Sequence, residues 1–251
     1  MVDSVFEPFL LSLIAGTATG IGGIIVLMMR KVSDRVVSFS MGLASGVMLL
    51  VAFNNLFFEA AKLLTQIELM IMFSLGALMM IGLDLTIPHI ELATGTEDSR
   101  RAKMLRTGEL IAIGITLHNF PEGFVVAAGY TYMPRLGLII AVAIMLHNIP
   151  EGVAIAILFT KSGMKHSKVA ILTFLSGLAE PVAALVGTVA FSLVGTKSVI
   201  GFSLVFAAGV MTYITADELI PVAHAYGYKH TVSVSLLLGI IFALLVNVIL
   251  S

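Results

Sequence analysis

The chain has 251 residues, of which 59% are hydrophobic and only 12% charged, and its mean hydropathy is +1.07. Soluble domains carry about 25% charged residues, so this composition excludes a soluble domain and points to a polytopic membrane protein. The net charge of −1 argues against a nucleic-acid binder, and the absence of cysteine rules out a disulfide framework and a thiolate metal site.

A bilayer-spanning helix needs about 20 mostly apolar residues. Eight stretches meet that need: 5–29, 36–58, 68–90, 107–129, 135–159, 168–194, 199–223 and 231–250. The expected architecture is an all-α membrane protein, one transmembrane domain over 1–251. Asp3 and Glu7 precede the first apolar run where a signal peptide would have basic residues, so this span is expected to be retained. Its Gly16 and Gly20 read as helix-packing positions. The stretch Arg30-Lys31-Val32-Ser33-Asp34-Arg35 separates the first two spans. Glu97-Asp98-Ser99-Arg100-Arg101 falls in the longest predicted loop, after the third span. The fourth span contains His118-Asn119-Phe120-Pro121-Glu122-Gly123, and the fifth repeats it as His147-Asn148-Ile149-Pro150-Glu151-Gly152. The sixth carries Glu180-Pro181 at mid-span, and the seventh ends in Asp217-Glu218-Leu219-Ile220-Pro221. His166, His224 and His230 lie in or near loops and read as solvated.

Positive charge assigns the orientation. Of the 14 Lys and Arg, all but Lys62, Arg135 and Lys197 fall in the loops after the odd-numbered spans. Those loops are expected in the cytosol, which puts both termini outside.

An internal repeat is also legible. Phe39-Ser40, Gly46-Val47-Met48 and Asn54-Asn55-Leu56 align with Phe202-Ser203, Gly209-Val210-Met211 and Asp217-Glu218-Leu219 at a constant offset of 163. The second and seventh spans cross in opposite directions, so the repeat is inverted. It relates spans 1–3 to spans 6–8 around a central pair, 4 and 5. Inverted repeats characterise secondary transporters, whose substrate site lies near the midplane at the repeat interface.

The duplicated motif points to a cation. A charged side chain at the bilayer centre costs roughly 2.5–3.5 kcal/mol on insertion scales, and this chain bears that cost twice in one pattern. Residues three and four apart share a helix face, so His118, Asn119 and Glu122 can project together, as can His147, Asn148 and Glu151. Pro121 and Pro150 lack an N–H and free the carbonyls of Leu117 and Leu146. A single intramembrane His–Glu pair reads equally as a structural hydrogen bond or a proton relay; the repetition, with Glu180 added, favours metal. Imidazole, amide and carboxylate without thiolate suit Zn²⁺, Fe²⁺ or Mn²⁺, and Mg²⁺ suits them less. Three carboxylates could neutralise two such ions.

At these residues the chain resembles the ZIP (Zrt/Irt-like) family of divalent metal transporters, in its GufA-like prokaryotic branch. The resemblance covers essentially all eight spans. It implies a binuclear centre between the fourth and fifth spans, built from His118, Asn119, Glu122, His147, Asn148, Glu151 and Glu180. It also raises Met48, otherwise a packing residue, to a candidate ligand. A cytosolic exit route past Asp84, His89, Asp217 and Glu218 is implied too, although many relatives carry His where this chain has Asp217.

The expected function is import of Zn²⁺ or a similar divalent ion (Fe²⁺, Mn²⁺, Cd²⁺) into the cytosol through the plasma membrane by alternating access. The metal is substrate and the chain is not an enzyme. The partners are metal ions, membrane lipid and, as the resemblance implies, a second copy of the chain in a homodimer. The competing readings are an intramembrane dinuclear hydrolase, a channel and an exporter.

Overall fold

The computed structural model describes residues 2–29, 33–86, 97–194 and 196–250. Those residues form eight helices and, among them, no strand. They are α1 (Val2–Met28), α2 (Asp34–Ala60), α3 (Gln66–Thr86), α4 (Glu97–Tyr132), α5 (Pro134–Lys161), α6 (His166–Val194), α7 (Lys197–Ala225) and α8 (Lys229–Leu250). Seven of them are long and apolar enough to cross a bilayer, each over 20 residues or more. The eighth expected span, 107–129, lies within α4. The chain is therefore an all-α, multi-pass membrane protein.

One expectation about an element end needs correction. The charged segment 97–101, expected in a loop, is the start of the 36-residue helix α4. Arg, Ala, Lys, Met and Leu are good helix formers, so such a stretch can carry a helix in spite of its charge. The span thus begins on a polar helical stalk. In α6 the helix breaks at Leu178, between His166–Gly177 and Ala179–Val194, just before Glu180-Pro181.

Packing follows the repeat. Helices α1, α4, α5 and α6 form one group, and α2, α3, α7 and α8 the other. Within the second group, α2 packs on α8 and α7 packs on α3 through matched glycines. A Cβ at Gly46 would collide with the Leu236 carbonyl, and one at Gly209 with the Phe73 carbonyl. The reciprocal pair is Gly239 against Leu43 and Gly76 against Phe206. All four relations keep the offset of 163. Without side chains at these points the backbones touch, which is how membrane helices gain dispersion contact where no hydrophobic drive exists.

Both α2 and α7 contain a π-helical segment, Val51–Phe57 and Thr215–Leu219, at equivalent places. Such bulges frequently mark functional sites. The window of α5 is 67% buried, against 17% for α3 and 22% for α8. So α5 is central, and α3 and α8 present apolar faces outward.

Candidate metal centre

The two motif helices, α4 and α5, lie against each other at the middle of the first group, flanked by α6 and α1. Small residues set the distances. A Cβ at Gly123 would overlap the backbone of Glu180, and a Cβ at Gly152 would overlap that of Thr19. Across the flank, Gly16 and Gly177 touch backbone to backbone. Neither Pro121 nor Pro150 interrupts its helix.

All seven sequence-predicted ligands on α4, α5 and α6 are buried: His118, Asn119, Glu122, His147, Asn148, Glu151 and Glu180, none more than 2% exposed. Glu122, His147 and Glu151 offer ligand atoms that all lie within 4.8 Å of one another. His147 Nε2 is 3.0 Å from Glu122 Oε1, while its Nδ1 donates to the Ala143 carbonyl at 3.2 Å. With Nδ1 carrying the hydrogen, a neutral imidazole turns a lone pair toward the carboxylate. Either a shared proton or a cation must lie between them. A backbone carbonyl on the far nitrogen is also how metal-binding histidines are held in the right tautomer.

The asparagines are clamped. Asn119 Nδ2 donates to the Ser176 carbonyl at 3.0 Å, beside the break in α6, and Asn148 Nδ2 donates to the Ala15 carbonyl at 3.0 Å. Asn148 Nδ2 also donates to Glu180 Oε1 at 2.5 Å. Both amide hydrogens of Asn148 and one of Asn119 are thereby committed to the protein, and the amide oxygens are not. Asn119 Oδ1, Asn148 Oδ1, Glu122 Oε2, Glu151 Oε2 and Glu180 Oε2 are buried without a hydrogen-bond partner. Five acceptor oxygens without donors, at mid-span, would be strongly destabilising unless a cation satisfied them.

The other expected residues sit around this cluster. His118 does not join the close group of Glu122, His147 and Glu151; its Nε2 is 3.3 Å from Glu218 Oε1 in the π segment of α7. Met48 is fully buried in α2, with its sulfur 3.8 Å from the Thr215 hydroxyl oxygen, whose hydrogen goes to the Met211 carbonyl. Asp84 is half-buried at the end of α3 and accepts from the Tyr213 hydroxyl at 3.0 Å. Asp217 is exposed and Glu218 half-buried. His89 lies outside the described residues. Sequence reasoning missed Tyr213, Thr215 and the carbonyls of Ala15 and Ser176. The offset-163 alignment could have flagged the first two, since they flank the Met211 that pairs with Met48.

A duplicated His-Asn-X-Pro-Glu-Gly pair, buried and converging between two inverted halves, agrees with the protein-family model described as "ZIP Zinc transporter", which matches residues 88–247. The chain belongs to the ZIP zinc transporter family. It is 36% identical over 247 residues to the zinc transporter ZupT of Chlorobaculum parvum, covering 92% of each chain. The ZupT proteins of Chlorobium chlorochromatii and Akkermansia muciniphila are each 34% identical, with 92% and 97% of both chains covered. As a member of a transporter family the chain is not an enzyme, which removes the hydrolase reading.

Proposed function

We propose that the chain carries divalent transition-metal ions, Zn²⁺ foremost and Fe²⁺, Mn²⁺ or Cd²⁺ as alternatives, into the cytosol. The observation that carries this reading is the set of orphaned oxygens beside the Glu122–His147–Glu151 group. The relatives' name as zinc transporters supports Zn²⁺ among the ions this donor set accepts.

Two ions occupy the centre. One is held by His118 and His147 with Glu122 and Glu151, and Met48 stands nearby on α2. The other is held by Asn119, Asn148 and Glu180, with Glu122 and Glu151 bridging. The ion sheds its waters on entry, and the two helix groups then move relative to one another so that the centre faces the cytosol. Release proceeds past Glu218, Asp217, Asp84 and His89. The 3.3 Å contact between His118 and Glu218 supports this order, because it joins the centre to the first exit residue. The positive-charge bias supports a plasma-membrane orientation with both termini outside. Lipid surrounds the outer faces of α3 and α8, and a second copy of the chain is the candidate protein partner.

Glu122→Ala and Glu151→Ala test the reading. Each should abolish Zn²⁺ uptake in proteoliposomes while the protein stays folded in detergent. Flux at the wild-type level in either variant would refute the centre. Saturation at low metal concentration with slow turnover distinguishes a carrier from a channel, and the sign of net movement distinguishes an importer from an exporter.

A further inference from the structure

We infer that Thr19 of α1 is a further ligand residue of this centre, giving its hydroxyl oxygen to the ion at the Asn119, Asn148 and Glu180 end. This rests on the metal reading above. Thr19 occupies on α1 the place that Glu180 occupies on α6. The two are 161 positions apart, as are Ala15 and Ser176, and Gly16 and Gly177. Asn148 donates to the Ala15 carbonyl as Asn119 donates to that of Ser176. Gly152 abuts the Thr19 backbone as Gly123 abuts that of Glu180, and Gly16 meets Gly177 reciprocally. Thr19 is thus the counterpart, across the inverted repeat, of a predicted ligand.

Direct geometry places it in the same neighbourhood. A Cβ at Gly16, one helical turn before Thr19, would stand 3.5 Å from the carboxyl carbon of Glu180. Asn148 Nδ2 ties that carboxylate to Ala15, four residues before Thr19. The hydroxyl is one of three among the described residues, with those of Ser12 and Thr160, that are buried without a hydrogen-bond partner. Thr19 is fully buried and its Oγ1 has no hydrogen-bond partner. By contrast Thr173, Thr188, Thr212 and Thr215 each donate to the carbonyl four residues back. The carbonyl Thr19 would use in that way belongs to Ala15 and already accepts from Asn148. A buried hydroxyl released from its own helix, one turn from the carbonyl that Asn148 holds together with Glu180, is an oxygen donor available to a cation.

The test titrates purified full-length protein with Zn²⁺, comparing wild type, Thr19→Val, Thr19→Ser and Glu122→Ala, and measures the melting temperature of each without metal. Thr19→Val should weaken binding of the ion at the Asn119, Asn148 and Glu180 end about tenfold, and Thr19→Ser should restore it. The metal-free melting temperature of Thr19→Val should be unchanged or higher, because removing an unpartnered buried hydroxyl breaks no bond. Binding by Thr19→Val equal to wild type overturns the inference. So does a matching loss of metal-free stability, which would mark Thr19 as structural. Wild type that binds no Zn²⁺, or binds it equally after Glu122→Ala, overturns the functional reading instead.

Discussion

The centre depends on where individual hydrogens are spent. His147 spends Nδ1–H on Ala143, and Asn119 and Asn148 spend amide hydrogens on Ser176 and Ala15. What faces inward is a set of lone pairs, the arrangement a cation needs and a hydrogen-bonded structural core does not. Histidines without that setting should not matter to transport. His166 and His230 are exposed at helix starts, so His166→Ala and His230→Ala should leave Zn²⁺ uptake at the wild-type rate. A large loss in either would mean that the pathway runs elsewhere. At this scale the sequence revealed residue types and helical spacing, which suffice to put His118, Asn119 and Glu122 on one face. It could not reveal that His118 pairs with Glu218, or that the asparagine partners are backbone carbonyls. Those contacts join residues far apart in the chain, and carbonyls carry no sequence signature.

At the scale of helices, the glycine contacts make a sharp demand. Gly46 and Gly209 each lie against a carbonyl on the neighbouring helix. Gly46→Ala should spread α2 from α8, and Gly209→Ala should spread α7 from α3. Overpacking of this kind costs about 1–3 kcal/mol, and each substitution should lower the melting temperature in detergent by several degrees. Equal stability in either variant would mean that the interface is looser than the backbone contact implies. The eight spans were legible because hydropathy over about 20 residues is a strong signal. The helical start of α4 was not, because a charged stretch beside a span reads as a loop until something extends the helix through it. The repeat was legible only in part. The path from Glu180 to Gly209 is two residues longer than that from Thr19 to Gly46. A search at the single offset of 163 therefore matches a glycine of α2 with one of α7 and a glycine of α3 with one of α8 but none of α1 with any of α6, although the expected repeat of spans 1–3 and 6–8 includes that pair.

For the molecule as a whole, orientation is the prediction most open to direct measurement. The chain contains no cysteine, so single-cysteine variants report without background. Lys62 and Ser167 are exposed at opposite ends of the bundle according to the charge bias. Lys62→Cys should react with a membrane-impermeant maleimide added to intact cells, and Ser167→Cys only after the cells are permeabilised. The reverse pattern would invert the topology and with it the assigned direction of transport.

The clamped amides have a use beyond binding. With their nitrogens pinned to α1 and α6, the Asn119 and Asn148 carbonyls cannot flip when cargo arrives or leaves; only the load on their oxygens changes. Isotope-labelled asparagine would turn each into a vibrational probe, its stretching frequency read by infrared difference spectroscopy. Occupancy could then be followed in real time, in the bilayer, with no dye and no mutation.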